Sequence, residues 1–224
     1  MNNLSGDDIT LRAWSIPAQE TSSLRVQLSI KRLLDILCAV FLLLLLFPVL
    51  IVAAVCVRLS SKGPIFYKQE RYGWRGSRFT CLKFRSTLVN YETTVERQQH
   101  GNRPSIHERP RTHVRFTGLG GWLRRTSIDE LPQLLNVLKG EMSLVGPRPL
   151  ELCLLDPYPE FHAVRDRVRP GITGLWQISA RDPHATAFDM MPYDLEYISK
   201  VTLWLDFKIL LKTPSIVLLG KGAR

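Results

Sequence analysis

Residues 36–57 read ILCAVFLLLLLFPVLIVAAVCV, 22 positions without a charge and with one proline, Pro48. A straight helix of that length spans about 33 Å, enough to cross a bilayer core of about 30 Å. The run begins too late, is too apolar for too long, and is followed by Arg58 rather than a small-residue cleavage site, so it does not read as a cleaved signal peptide. Pro48 removes one backbone hydrogen bond and crowds the preceding turn, which predicts a break. The arms on either side, of 12 and 9 residues, reach only about halfway through the core. Lys31 and Arg32 precede the run, and Arg58 and Lys62 follow it. Positive charge favours the cytoplasmic side, and here it pulls both ends there. A re-entrant helix-hairpin broken at Pro48 satisfies both observations. A kinked spanning helix is the alternative that physics alone leaves open.

Outward from this run the chain divides into three parts. Residues 1–30 are polar and weakly acidic and read as a flexible tail, with a short amphipathic stretch from Leu24 to Ile30. Residues 31–59 read as a membrane anchor, and residues 60–224 as one membrane-associated domain on the cytoplasmic side. The formal charge is +10, and Arg58 to Arg85 holds eight basic residues against one acid, Glu70. A basic segment beside a membrane-length run points to an anionic membrane surface before nucleic acid, for which no binding motif appears. Four scattered cysteines exclude a disulfide scaffold, and 22% charged residues exclude a disordered chain.

The domain reads as α+β and mostly helical. Ser60-Ser61-Lys62-Gly63-Pro64 is a turn that ends the anchor, and Ile65–Tyr67 with Phe79–Phe84 predict a small β-hairpin. Residues 90–113 read as a polar loop. Trp122–Arg125 and Pro132–Lys139 predict helices, the second stopped by Gly140. Leu150–Val168 predicts a helix interrupted by Pro157 and Pro159. Ile172–Ile178 predicts a strand, and Tyr193–Leu211 one long helix ended by Pro214. Trp122–Arg125 and Trp204–Lys212 set aromatic and aliphatic residues beside cations, a pattern of interfacial amphipathic helices and equally of ordinary core packing.

Ser127 and Glu130 have the spacing of a capping box, which predicts Asp129 and Glu130 in the first turn of a helix. That pattern alone is an ordinary helix start. Its chemical reading is a carboxylate pair that divides labour, one as nucleophile and one as ligand of a hard cation such as Mg²⁺, with Arg124 and Arg125 one turn back to hold phosphate oxygens. Gly146-Pro147-Arg148-Pro149 presents a guanidinium on a rigid loop, suited to anion recognition. Lys83-Phe84-Arg85-Ser86 ends a strand with two cations, and Arg169-Pro170-Gly171 to Arg181 joins a turn to glycines that let backbone approach a ligand closely. His100, His107 and His113 lack the spacing of a metal site, and no Walker A loop, GxGxxG or GxSxG occurs.

From about Lys31 to Arg224 these blocks resemble the bacterial sugar transferases, specifically the small monotopic polyprenyl-phosphate phosphoglycosyl transferases. The resemblance rests on Gly63-Pro64 with Gln69, Arg71 and Gly73, on KFRS at 83–86, on LRRTSIDELPQLLNVLKGEMSLVGPRP at 123–149, on RPGITGLWQISAR at 169–181, and on YDLEYI and LDFKILLKT near the end. The 27-residue middle block is far longer than a capping preference explains. The family implies a re-entrant anchor broken at proline, which would be Pro48, with the active site at the cytoplasmic face of the bacterial inner membrane. It often carries serine before that proline, where this chain has Phe47. It implies transfer of sugar-1-phosphate from a UDP-sugar to undecaprenyl phosphate with release of UMP, initiating polysaccharide or glycoconjugate assembly. Asp129 would be the nucleophile that forms the phosphosugar intermediate and Glu130 the Mg²⁺ ligand. Arg124, Arg148, Lys83, Arg85 and Arg169 would contact phosphate or substrate, and Asp194 of the YDLEY block would support the dyad or an arginine. A non-catalytic membrane-anchored scaffold of a polysaccharide assembly complex is the rival reading. A homodimer is left open, and nucleic acid is not expected as a partner.

Overall fold

The computed structural model describes residues 22–87, 116–155, 159–180, 182 and 185–218. Among these the chain is a mostly helical α+β protein with two small two-stranded sheets. The expected loop at 90–113 with its three histidines, and Pro157, Arg181 and most of the expected tail, lie outside the described residues.

Helix α1 (Ser22–Leu45) includes the amphipathic stretch expected in the tail and continues through the first half of the apolar run. Helix α2 (Phe47–Ser60) follows after a single residue, Leu46, and the two helices bend by 64°. The break falls just before Pro48. This places the proline in the first turn of α2, where its missing N–H would have had no partner in any case. Backbone bonds from Leu46 N to Leu42 O (2.8 Å) and from Leu50 N to Leu46 O (2.9 Å) carry the ladder up to the corner and away from it. No single described helix is long and apolar enough to cross a membrane, whereas the bent pair together has the length and composition. Its apolar side chains are largely uncovered: Leu37, Phe41, Leu44, Leu45, Phe47, Val52 and Val55 are all exposed.

The polar residues of α1 lock it to the rest of the domain. Arg32 donates to Val137 O (2.7 Å) and Leu138 O (3.1 Å), at the end of helix α4 (Gln133–Lys139), where unpaired carbonyls favour a cation. Buried Asp35 accepts from Ser143 Oγ (2.7 Å) and Leu144 N (3.1 Å), while Lys31 pairs with Asp206 at 2.6 Å.

After α2 come β1 (Phe66–Tyr72) and β2 (Arg78–Phe84), an antiparallel hairpin in register from Phe66↔Phe84 to Tyr72↔Arg78. Short helix α3 (Gly120–Arg125) and α4 then lead to β3 (Ser143–Val145). This strand pairs in parallel with β4 (Gly171–Thr173), across a connection holding α5 (Leu152–Leu155) and α6 (Pro159–Arg165). The main core gathers around β3 and β4 from Phe79, Leu134, Val137, Met142, Val145, Trp176, Leu195, Tyr197 and Ile209. A smaller cluster of Ala53, Val57, Phe84 and Leu123 joins α2 to the hairpin and α3.

Three glycines set how closely two loops meet. A Cβ on Gly146 would lie 2.3 Å from Arg169 O, one on Gly171 2.1 Å from Gly146 N, and one on Gly174 2.2 Å from Gly146 O. These contacts are backbone to backbone, so no side chain can be added without moving the Gly146–Pro149 loop.

Several local expectations are corrected. Ser127 makes no capping bond. It adopts φ 54°, and Ile128–Glu130 is a tight 3-10 turn rather than the first turn of α4. The only strand in 172–178 is the end of β4. Leu175–Ser179 is helix α7, because Gly174 turns the chain against Gly146. The long helix expected over Tyr193–Leu211 is two helices, α8 (Ala187–Ser199) and α9 (Leu203–Leu218). α8 starts with a true capping box, in which Thr186 and Asp189 exchange bonds. Pro214 lies inside α9 rather than ending it.

Candidate active site

The turn from Ser127 to Glu130 is built by its flanks. Helix α3 ends at Arg125, and Thr126 Oγ1 folds back to Trp122 O (2.9 Å). Ser127 N and Glu130 N bond to Arg124 O and Ser127 O, both at 3.1 Å. Pro132 then opens α4. The left-handed Ser127 reverses the chain tightly enough that both acids turn inward, at a conformational cost of about 1–2 kcal/mol for a residue other than glycine.

Four elements bring cations to this region. Lys83 of β2 reaches Glu130 Oε1 at 3.1 Å, and Arg148 of the Gly146–Pro149 loop reaches the same oxygen at 2.8 Å. Arg124 of α3 donates from Nε to Ser86 Oγ (2.9 Å) and lies 5.1 Å from the Phe116 ring centroid. Arg71 of β1 is fixed by Pro149 O (3.3 Å), Gln69 and Glu151 (3.2 Å). Together Arg71, Lys83, Arg124, Glu130 and Arg148 line a cavity of about 350 Å³, to which Glu151, Thr186 and Met190 also contribute.

The two carboxyls are driven apart. Burial pushes Asp129 up, and the neighbouring Glu130 charge adds to it, reaching about 6 against the opposing pull of Lys83, Arg124 and Arg148. Burial also raises Glu130, but the Arg148 and Lys83 charges and their hydrogen bonds overcome it and hold that carboxyl well below the usual carboxylate range. Opposed titration of adjacent groups is a hallmark of divided chemical roles. Asp129 is 6% exposed and is not among the residues lining the cavity.

Of the other residues singled out from sequence, Arg85, Arg169 and Asp194 do not reach this cavity. Buried Arg85 donates to Lys62 O (2.8 Å), Ser61 O (2.7 Å) and Val57 O (3.4 Å), and so closes the end of α2. Arg169 donates to Gly140 O (2.9 Å) and lies 4.0 Å over the Trp74 ring. Asp194 is buried with Arg165 at 3.1 Å, and Arg165 in turn donates to the Arg148 carbonyl. Asp194 therefore supports an arginine, at one remove from the site. Arg71 and Glu151 as cavity walls and Arg165 as the brace of Arg148 are not identified by sequence reasoning. Arg165 is 17 residues from its contact and carries no local signal. Thr186 and Asp189 did have the spacing of a capping box and marked the helix that closes one wall.

The donor set suits a hard cation only as a shared ligand. No group of three acidic, histidine or cysteine side chains is gathered among the described residues. Mg²⁺ is commonly held by one or two carboxylates with substrate phosphates completing the shell. Glu130, with both its cations on Oε1, has that capacity.

Glu130 thus shares a pocket with four cations, Arg71, Lys83, Arg124 and Arg148, and buried Asp129 lies next to it in the chain. The family model for bacterial sugar transferases matches residues 26–220, and the chain belongs to that family. It is 40% identical to the exopolysaccharide production protein ExoY of Sinorhizobium fredii, over 94% of this chain and 95% of that protein. It is 42% identical to the uncharacterized sugar transferase EpsL of Bacillus subtilis, over 86% and 89%. It is 39% identical to the UDP-glucose:undecaprenyl-phosphate glucose-1-phosphate transferase of Escherichia coli, over 88% of this chain but 42% of that longer protein. The chain is an enzyme of the phosphoglycosyl transferase type.

Proposed function

We propose that this enzyme transfers sugar-1-phosphate from a UDP-sugar to undecaprenyl phosphate through a covalent intermediate on Asp129. The observation that carries the reading is the adjacency of a buried Asp129, raised toward neutrality, and a Glu130 held ionised by Lys83 and Arg148. An Asp129 carboxylate oxygen attacks the sugar-bearing phosphorus. The bond from that phosphorus to the bridging oxygen breaks, and UMP leaves with the electron pair. An oxygen of undecaprenyl phosphate then attacks the same phosphorus and returns Asp129 as a free carboxylate, giving the lipid diphosphate sugar. Desolvation makes the Asp129 carboxylate a stronger nucleophile, and splitting one transfer into two predicts ping-pong kinetics. Arg71, Lys83, Arg124 and Arg148 supply fixed positive charge where phosphate oxygens gather, which is the main need of phosphoryl transfer. Mg²⁺ would be held by Glu130 together with substrate oxygens, and when bound it neutralises charge on the diphosphate. Arg148 is kept in place by the Arg165–Asp194 pair, and Arg124 by Ser86.

The acceptor is a lipid, so the site must lie near a membrane surface. The uncovered apolar faces of the bent pair α1–α2, and exposed Trp204, Phe207 and Leu211 of α9, support a re-entrant anchor with interfacial helices at the cytoplasmic face of the inner membrane. In this reading the enzyme opens an exopolysaccharide or glycoconjugate pathway.

Purified enzyme given undecaprenyl phosphate and a panel of UDP-sugars is expected to release UMP with at least one of them, and to stop when divalent cations are chelated. A protein that releases none while still binding assembly partners would be a scaffold instead. Single cysteines placed in the first 20 residues and just after Gly63, in a background lacking the native thiols, are expected to react with an impermeant reagent only from the cytoplasmic side. Labelling from opposite sides would make the bent pair a spanning segment.

A further inference from the structure

A second cavity, of about 600 Å³, is lined by Lys31, Arg32 and Asp35 of α1, by Trp74 and Arg75 of the hairpin turn, and by Arg169. Its charge is unbalanced. Lys31 is committed to Asp206 (2.6 Å) and faces Asp35 at 3.8 Å. Asp35 is already taken by Ser143 and Leu144. Among the described residues, no carboxylate forms an ion pair with Arg32, Arg75 or Arg169. Among the described residues the two terminal nitrogens of Arg169 make no hydrogen bond once Nε has donated to Gly140 O, and burial, with the Arg32 and Arg75 charges, pushes its titration down against the opposing pull of Asp35. Both Arg75 and Arg169 lie over Trp74, at 4.2 and 4.0 Å from its centroid, so the ring holds two like charges close together.

The backbone adds an independent observation. Arg75 has φ 56°, a conformation that glycine adopts freely and a side chain with Cβ does not. A strained position that carries a long cation into a cavity invites a functional reading of that cation.

We propose that this cavity binds a phosphate group, with Arg75 and Arg169 holding its oxygens against Trp74 and Arg32 completing the positive wall. Guanidinium forks suit tetrahedral phosphate oxygens, and a bound dianion or diester would relieve the repulsion among the three cations. The phosphate could come from an anionic phospholipid headgroup or from solution. The lipid source rests on the membrane reading of α1–α2. Arg32 and Lys31 precede Ile36 by four and five residues, or about 6–8 Å along the helix, which would set the cavity at headgroup depth. The phosphate chemistry does not depend on that reading.

The test uses the full chain in nanodiscs of phosphatidylcholine, with or without phosphatidylglycerol, and compares wild type with Arg75→Gly. Glycine removes the guanidinium while relaxing the backbone, so the variant is expected to fold with an unchanged or higher Tm. Native mass spectrometry is expected to find phosphatidylglycerol retained by the wild type and retention about tenfold weaker in Arg75→Gly, as for loss of one charge-assisted contact. In parallel, inorganic phosphate is titrated calorimetrically into both proteins in phosphatidylcholine discs. Lipid retention lost in Arg75→Gly supports the headgroup. A phosphate heat lost in Arg75→Gly, with lipid retention unchanged, supports a soluble phosphate. If neither changes, the proposal is overturned. UMP release by the wild type is read separately, so a failure of the catalytic reading leaves this result distinct.

Discussion

Asp129→Asn is expected to lower UMP release by roughly 10⁴-fold or more, the scale of removing a covalent nucleophile. The amide is nearly the same shape but cannot form the acyl phosphate. Intact-mass analysis of wild type incubated with donor alone is expected to show an added sugar phosphate, and the variant none. The same substitution has the opposite consequence for stability. Asp129 is raised to about 6 by burial and by Glu130, so above that pH its ionised form works against the fold. A neutral amide removes that penalty, and the Tm at pH 7.5 is expected to hold or rise. This pairing of lost activity with kept stability separates a nucleophile from a structural acid. Near-normal turnover in the variant would place the nucleophile elsewhere.

Asp194→Ala is expected to cost about 3–5 kcal/mol of stability, because it leaves the Arg165 guanidinium buried without its partner. Thermal unfolding in detergent reads this directly. The loss should also reach the active site, since Arg165 holds the Arg148 carbonyl, and Arg148 holds Glu130. The pH dependence has a definite sign. Burial raises Asp194 to about 6 despite Arg165, whereas an unfolded aspartate titrates near about 4. The folded state therefore binds the proton more tightly. The stability it contributes is fully present below about pH 4 and is lost as pH rises through about 6. In Asp194→Asn that decline is expected to be shallower than in wild type. An unchanged slope would mean that Asp194 does not titrate in this window.

Residues whose role depends on near neighbours were legible from sequence. The apolar run with its proline, the basic flanks, the hairpin, the Gly140 stop and the adjacency of Asp129 and Glu130 all follow from composition, period and spacing. So does the break, because a proline inside a helix can act only on the turn before it. Even here the neighbours misled where two local patterns competed. The spacing of Ser127 and Glu130 imitates a cap, yet the chain must reverse between α3 and α4, and it uses a left-handed serine to do so.

The sequence by itself determined the family, the adjacency of Asp129 and Glu130, and the break of the apolar run at Pro48, since these are written in contiguous blocks. Only the tertiary structure decided which cations serve the acids. KFRS offers two, and it is Lys83 that reaches Glu130, while Arg85 points the other way to close α2. Arg169 leaves for a different cavity, and Asp194 acts through Arg165. The reason is physical. A regular strand would set Lys83 and Arg85, two residues apart, on one face, but β2 ends at Phe84, and past that point it is packing rather than period that directs Arg85. Which backbone can approach which is likewise settled by contacts such as Gly146 against Gly171, 25 residues apart, that no local pattern records.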